Sequence, residues 1–235
     1  MNLNSCKYDF VSDNINIIVL VYDQSGSMEY DVAAMLEANK AFLNDFLKFE
    51  EKGSIAIAKA VFEESFEMSN FDEVSKFDIS YDACGGTHFN RAIVQSGRNT
   101  ISYYNEIIKR LNVTPRITFL VFSDGVDTER SASSKAAAKS MIKELNSLDA
   151  TTVFVAFRDA IKSETGADLG FTCTRDIHSV KELVACLGTE LSKSCKEQSR
   201  SAYSLKSTFF STANTNADED NIDEAPIISD DFFNI

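Results

Sequence analysis

Short apolar runs alternate with longer amphipathic segments along most of this chain, and that alternation limits the folds open to it. Ile15–Tyr22, Ser54–Phe62, Arg116–Phe122 and Thr151–Phe157 are apolar and rich in β-branched or aromatic residues. Runs of this length and composition predict buried β-strands, and Gly170–Thr174 predicts a further short strand. A sheet with several continuously apolar strands has to be covered on both of its faces.

The segments between these strands have apolar residues at helical spacing. They predict helices over Glu29–Phe49, His88–Leu111, Ser131–Leu148 and His178–Leu191. Ser65–Phe71 follows a short turn and predicts an antiparallel return strand. Strands that alternate with helices form βαβ units. The predicted fold is therefore α/β and Rossmann-like, a doubly wound, mostly parallel sheet with one antiparallel edge strand and helices on both faces.

Composition divides the chain into three parts. Residues 1–12 are a short N-terminal extension, and residues 13–194 contain all the predicted strands and helices. Residues 195–235 form a Ser/Thr-rich and then acidic tail, with seven acidic residues and no Lys or Arg from Asp218 onward. Such a segment is typical of a flexible polar tail. Its last part, 225–235, is more apolar, and predicts either docking on the chain's own domain or a short motif for a partner.

Charge and cysteine usage restrict the function classes. The formal net charge of -13 disfavours nucleic acid and anionic membrane as partners. The N-terminus lacks the apolar core of a signal peptide, and no apolar run is long enough to span a bilayer. Five widely spaced cysteines argue against both a disulfide framework and a zinc site. We therefore expect free thiols and a cytoplasmic protein.

Three polar turns follow apolar segments at places that a parallel sheet brings to one edge. They are Asp23–Ser27 after the first strand, Cys84–Thr87 before the second helix, and Ser123–Gly125 after a later strand. Hydroxyl and carboxylate oxygens suit a small hard cation. Serines in a strand-to-helix turn can also be simple helix caps. The predicted metal ligands are Asp23, Ser25, Ser27, Thr87 and Asp124.

This pattern of an Asp-x-Ser-x-Ser turn, a Thr after glycines and an Asp in Ser-Asp-Gly resembles the metal-ion-dependent adhesion site (MIDAS) of von Willebrand factor type A (vWA) domains. The resemblance covers residues 13–194 and includes all five ligand positions. It implies that Ser25 and Ser27 coordinate the metal through their hydroxyls and that Thr87 binds it directly or through water. Asp23 and Asp124 would accept hydrogen bonds from coordinated waters. It also implies Mg2+, with Mn2+ possible, and an acidic ligand from a partner.

The resemblance implies a metal-dependent protein-binding module without catalytic activity. Small intracellular vWA proteins of the tellurium-resistance-associated type, and partners of MoxR-type AAA+ ATPases, are similar. They imply a scaffold that works with kinase, phosphatase or AAA+ ATPase components. A secreted or surface adhesin is the alternative. A haloacid dehalogenase-type phosphohydrolase is disfavoured because it needs a second Asp where Ser25 stands. The glycine-rich nucleotide-binding motifs do not occur in the sequence.

Several residues beside these turns have two interpretations each. Cys84 and His88 could form a nucleophile pair or belong to a packed loop and a helix start. Asp127 could orient a water or cap the next helix. Glu29 and Asp31 could form an adjacent cation site, and a solvated helix start explains acidic residues there equally well.

Two further expectations concern the predicted metal site. Asp23 and Thr87 are expected at a loop rim, so that their replacement by Ala would remove partner binding with little loss of fold. Asp230 or Asp231, which lie between apolar residues, could occupy the metal site of a neighbouring copy and give head-to-tail assembly.

Overall fold

The computed structural model describes residues 10, 14–49, 54–124, 127–129, 131–157, 169–172 and 189. Strands and helices alternate in the order that the sequence predicts. The strands are β1 (Asn16–Asp23), β2 (Ile55–Phe62), β3 (Phe66–Met68), β4 (Arg116–Ser123), β5 (Thr151–Ala156) and β6 (Leu169–Thr172). The helices are α1 (Val32–Phe49), α2 (Phe89–Leu111) and α3 (Ala132–Ser147).

The six strands form one sheet in the order β3-β2-β1-β4-β5-β6. Every neighbouring pair is parallel except β2 and β3, which are antiparallel. β1 lies in the middle, with Val19 level with Ala58 of β2 and Phe119 of β4. All eight residues of β1 are buried, as expected for a strand covered on both faces. The predicted fold class is confirmed.

The two faces of the sheet bury alternate residues of the same strands. Leu20 of β1 belongs to a core that packs under α1, whereas Val19 belongs to a core that packs against α2 and α3. On the second face α2 and α3 approach closely. A Cβ atom added at Gly97 of α2 would lie 2.4 Å from Cγ of Met141 of α3. Glycine at this position allows the two helices to pack together.

The start of the first predicted helix differs from the prediction. Residues Gly26–Asp31 form a 3-10 helix, and the α-helix begins only at Val32. The Met28 side chain in this turn is fully buried. The tighter turn therefore packs an apolar residue into the core while the preceding serines stay near the end of β1.

The antiparallel edge strand is shorter than the predicted Ser65–Phe71. β3 has three residues, and pairing with β2 resumes at a single bridge between Ile57 and Asp72. Between them the Ser69 hydroxyl accepts a hydrogen bond from the Lys59 amide at 3.0 Å. A side chain thus replaces a main-chain partner there, which interrupts the regular ladder.

Some predictions fall outside the described residues. Of the predicted helix 178–191 only Thr189 is described, in helical conformation, and the N-terminal extension is represented by Phe10 alone. The tail 195–235, with Asp230 and Asp231, lies wholly outside them. The domain limits of 13–194 therefore stay a prediction. Within the described part of the chain, none of the helices has the length and apolar character to cross a membrane.

Candidate metal site

The first loop of the candidate site folds back on the last residue of β1. Ser25 donates its main-chain N–H to Oδ1 of Asp23 at 2.9 Å. The hydroxyls of Ser25 and Ser27 lie 3.1 Å apart and share a hydrogen bond. The aspartate carboxylate therefore shapes the turn that brings the two serine hydroxyls together.

The second loop is joined to the first by main-chain hydrogen bonds. The Cys84 N–H donates to the Gln24 carbonyl at 2.7 Å, and the Gly26 N–H donates to the Gly85 carbonyl at 3.0 Å. Gly85 has a φ of 75°, a left-handed conformation that favours glycine. Thr87 follows two residues later and is buried. The glycines thus allow this loop to lie directly beside the serine loop.

The third loop is connected to both of the others. The Ser123 hydroxyl at the end of β4 donates a hydrogen bond to Oδ2 of Asp23. The main-chain N–H and the hydroxyl of Thr128 donate to the Thr87 carbonyl at 2.9 Å and 2.7 Å. Asp124 follows Ser123 and is fully buried. The structure therefore brings the three predicted turns into one hydrogen-bonded group.

The expectation that the side chains of Asp23 and Thr87 lie at a loop rim is wrong, since both are buried. Asp23 and Asp124 are each 0% exposed, Ser25 is 1% exposed and Thr87 is 3% exposed. Ser27 is partly exposed. Asp23 ends β1 and Asp124 directly follows β4, and because both strands are central these residues still lie inside the covered sheet. Thr87 lies on the loop before α2, where its carbonyl is held by Thr128. Replacement of these residues therefore affects the packed interior as well as any ligand.

Two buried carboxylates lie close together at this site. Burial is the largest cause that raises the pKa of Asp23, to about 6, and the Asp124 carboxylate adds to the rise. The hydrogen bonds from Ser123 and Ser25 oppose it. Buried negative charge without a cation is unfavourable, and a divalent ion would relieve it. Three hydroxyls and two carboxylates match the oxygen ligands that Mg2+ prefers.

Comparison with known proteins gives matches in structure. No protein-family model and no curated protein matches the sequence. A von Willebrand factor type A structure from Catenulispora acidiphila is similar with a TM-score of 0.51 at 19% identity, over 75% of this chain and 42% of that one. The pilus adhesin SpaC from Lactobacillus rhamnosus GG, in its open conformation, gives 0.59 at 14% identity, over 77% and 30%. Proximal thread matrix protein 1 from the mussel byssus gives 0.56 at 16% identity, over 76% and 48%.

The fold is that of a vWA domain. This chain spans less than half the length of each of these three structures, since it covers between 30% and 48% of them. At such low identity the similarity concerns the fold alone. What this chain binds therefore depends on its own residues.

Tyr81 is a residue of the site that the sequence did not predict. Its hydroxyl donates a hydrogen bond to the main-chain oxygen of Asp23, and its ring lies edge-to-face with Tyr22 at a centroid distance of 6.1 Å. Burial is the main cause that raises the pKa of Tyr81, so it stays a neutral donor. Tyr81 precedes the glycine loop in a stretch without helical or strand periodicity. Only its aromatic character in a polar stretch could have indicated a buried role.

Cys84 and His88, the possible nucleophile pair beside the site, form hydrogen bonds with different residues. Sγ of Cys84 donates to Oε2 of Glu63 at 3.2 Å, whereas Nδ1 of His88 is hydrogen-bonded to the Glu64 carbonyl at 2.9 Å. The cysteine and the histidine are thus held by different partners. This arrangement favours a packed loop over a nucleophile pair.

Asp127 connects the third loop to α2. Its carboxylate accepts hydrogen bonds from the Asn90 side chain and, at 3.0 Å, from the Glu129 amide. The cap of α3 is Ser131, whose hydroxyl accepts from the Ser134 amide at 3.4 Å. Asp127 therefore does not cap the helix that follows it. Its carboxylate instead accepts the Asn90 main-chain N–H, at 3.4 Å, in the first turn of α2.

The acidic pair that follows the serine turn divides into two environments. Glu29 is exposed, as a solvated helix start predicts. Asp31 is 0% exposed, so of the two interpretations the solvated helix start does not describe this position. Asp31 also contributes to the raised pKa of Tyr81, which places its charge near the site.

Within the described residues, no cluster of three or more His, Cys, Asp or Glu side chains is placed to hold a metal ion. A cation at the candidate site would therefore depend on the Ser and Thr hydroxyls as well as the two aspartates.

Proposed function

We propose that this vWA domain binds a protein partner through a divalent cation, Mg2+, held by Asp23, Ser25, Ser27, Thr87 and Asp124. The observation that carries the proposal is the hydrogen-bonded junction of three loops around the buried Asp23 carboxylate. Hydrogen bonds from Ser25 and Ser123 fix this carboxylate at the centre of the group. Main-chain bonds hold the glycine loop against the serine loop, which supports a shared ligand for the residues of both.

The residue types define what each side chain would do. Ser25, Ser27 and Thr87 offer neutral hydroxyl oxygens, while Asp23 and Asp124 offer charged oxygens that would hold coordinated waters. A bound Mg2+ supplies a positive centre that attracts a carboxylate from outside the chain. Mn2+ fits the same oxygen ligands. The partner therefore offers an Asp or Glu side chain.

We propose that the chain has no catalytic activity. A haloacid dehalogenase-type reaction requires a second carboxylate two residues after Asp23 as acid and base. At this position Ser25 donates its amide to Asp23 and shares its hydroxyl with Ser27. These contacts support a structural and metal-binding role for the serine.

The cellular role we propose is that of a cytoplasmic scaffold or regulator that assembles with kinase, phosphatase or AAA+ ATPase components. The alternative, a surface adhesin, is favoured by the similarity in fold to the pilus adhesin SpaC. Fractionation of the native cells with an antibody against this chain separates the two. Recovery in the cytoplasmic fraction supports the scaffold, and recovery on the cell surface supports the adhesin.

Isothermal titration calorimetry with Mg2+ tests the metal site. We expect one equivalent to bind the wild-type protein and a loss of about tenfold or more in affinity for Thr87→Val, which removes one oxygen at nearly constant volume. Thr100→Val is the matched control because Thr100 is also buried and its hydroxyl bonds only within α2, to the Ser96 carbonyl at 2.7 Å. Equal Mg2+ affinity of all three proteins would overturn the role of Thr87.

A further inference from the structure

A cleft of about 880 Å³ opens on the α1 face of the sheet, beside β2 and β3. Ile57, Lys59 and Val61 of β2 lie along its floor, and residues from the segment 67–82 form its wall. We call this space, with these lining residues, the edge cleft. A concave surface of this size can hold several side chains of a bound segment.

The edge cleft lies directly beside the candidate metal site. Gln24, which lines the cleft, is the residue after Asp23, and its carbonyl accepts the Cys84 amide of the glycine loop. Tyr81 also lines the cleft while its hydroxyl bonds to the main-chain oxygen of Asp23. A segment bound at the metal site could therefore continue over Gln24 into the edge cleft.

Negative charge predominates in the cleft. Five of its lining residues are acidic and two are lysines. Both lysines form ion pairs with acids of the cleft. Nζ of Lys59 lies 3.2 Å from Oδ2 of Asp78, and Nζ of Lys76 lies 3.0 Å from Oδ1 of Asp72. Glu67 and Asp82 are exposed acidic residues of the lining. The excess of acidic residues in the cleft therefore favours a ligand with a positive charge.

The surroundings of the metal site carry the same sign of charge. Residues 23–31, 62–70 and 77–90, which form the first two loops and part of the cleft wall, contain eight acidic residues and no Lys or Arg. The rest of the wall, 71–76, adds Asp72, Glu73 and Lys76. The charges of Asp23 and Asp124 would already offset those of a divalent cation. A partner segment with only carboxylates would therefore be repelled by the remaining acids around the site.

We propose that the partner segment carries a Lys or Arg close to its metal-bound Asp or Glu, and that this basic side chain lies in the edge cleft. The inference rests on the proposed metal-dependent function. The aliphatic stem of such a side chain would pack beside Val61 and Phe77, which are half-buried in the lining on the α1 face. Its charged end would face Glu67 and Asp82.

The same charge balance bears on the head-to-tail contact suggested for Asp230 and Asp231. The chain from Asp218 onward has seven acidic residues and no basic one. Such a segment provides no Lys or Arg for the edge cleft and would add negative charge to an acidic face. A basic-flanked segment of another protein is the better occupant.

A peptide library with a fixed central Asp and randomised flanks tests the proposal on the full chain. We expect peptides captured in Mg2+ but not in EDTA to be enriched in Lys or Arg on one side of the Asp. The double variant Glu67→Gln/Asp82→Asn should still capture Asp peptides but should bind the best basic peptide about tenfold more weakly. The control Glu144→Gln/Asp149→Asn removes two exposed acids outside the cleft and should bind like wild type.

The possible outcomes distinguish a failure of the edge-cleft proposal from a failure of the proposed metal-dependent function. Mg2+-dependent capture of Asp peptides without a basic preference would overturn the role of the edge cleft and leave the metal site in place. If Glu67→Gln/Asp82→Asn still prefers peptides with Lys or Arg, the role of the edge cleft is also overturned, because the basic side chain of the peptide would then bind elsewhere. Absence of any Mg2+-dependent capture of Asp peptides would contradict the proposed function itself.

Discussion

The two faces of the central sheet are covered in different ways. On one face α2 and α3 pack closely at Gly97, and the ring of Phe89 contacts those of Phe62 and Phe154 at centroid distances of 6.0 Å and 5.7 Å. On the other face α1 covers part of the sheet, and the segment 67–82 leaves the edge cleft open. The face covered by α2 and α3 therefore mainly provides stability, whereas the α1 face positions the residues of the site.

Lys59 illustrates the difference most clearly. It is a strand residue on the α1 face and is only 8% exposed, with its ammonium group bound to Asp78 and Ser80. A buried charge of this kind is costly unless it is paired. Here it holds the segment that continues into Tyr81, and Tyr81 bonds to Asp23. The paired Lys59 on this face thus contributes to the placement of the loops.

The largest effect should come from the densely packed face. Phe119 of β4 is 0% exposed among α2 and α3 residues, so Phe119→Ala should reduce the free energy of unfolding by about 3–5 kcal/mol. Phe77→Ala, on the half-buried wall of the edge cleft, should cost about 1 kcal/mol because the site is already partly open to water. Urea denaturation measures both values. Equal losses would remove the distinction between the faces.

The next effect concerns the charge at the site. In Mg2+-free buffer Asp23→Asn should raise the free energy of unfolding by about 2 kcal/mol at neutral pH, since the folded wild type has to bury a carboxylate whose pKa is raised to about 6. The folded state holds the proton more tightly than the unfolded state. The penalty on wild type is therefore complete above pH 6 and disappears toward the ordinary carboxyl pKa of 3.8.

Thermal and urea unfolding from about pH 4 to about pH 8, which brackets the raised pKa of Asp23, measure the difference in stability between Asp23→Asn and wild type. The advantage of the variant should shrink as the pH falls through about 6. Added Mg2+ should stabilise the wild type alone. A variant that is less stable than wild type at every pH would contradict the account of this carboxylate.

A smaller effect should appear where α2 and α3 meet. Gly97→Ala should lower stability by about 1–2 kcal/mol because the new methyl group would overlap Met141. In a Met141→Ala background the same change should be neutral or stabilising, since alanine favours a helix over glycine. A double-mutant cycle by urea denaturation compares the two backgrounds. The same cost in both would show that the close approach is not the cause.

The smallest effect on stability should come from the hydroxyl of Tyr81. Tyr81→Phe removes its bond to the Asp23 main chain and should cost about 1 kcal/mol, with a several-fold loss of Mg2+ affinity by calorimetry. Tyr22→Phe is the control, because the Tyr22 hydroxyl donates to Asn39 of α1 at 2.7 Å. It should lower stability to a similar extent and leave Mg2+ affinity unchanged. Equal Mg2+ affinities of the two variants would show that Tyr81 does not position the site.

The fold could be predicted from sequence where strands are buried on both faces. β1, β2, β4 and β5 are within about one residue of the prediction because continuous apolar runs bounded by polar turns leave little choice of limits. The shortened β3 was not predictable, because Ser69 replaces a main-chain bond only through a contact with β2. Such a contact depends on the tertiary structure.

The candidate site, like the fold, could be predicted from the sequence only in part. The order of strands brings the three predicted turns to one edge of the sheet, so the sequence could indicate their proximity. It could not indicate that Asp23 and Thr87 are buried, because that depends on the position of β1 at the centre of the sheet and, for Thr87, on contacts with Thr128. The hydroxyl of Tyr81 reaches Asp23 across 58 residues of sequence, and local patterns do not report such contacts.

A crystal of this protein soaked in Mn2+ tests the central claim most directly, through the anomalous scattering of the metal. We predict a peak within bonding distance of the Ser25 and Ser27 hydroxyls, with Thr87 reaching it directly or through a water. Asp23 and Asp124 should contact the coordinated waters. A peak at another place on the chain, or no peak in crystals that keep these three loops together, would contradict the account.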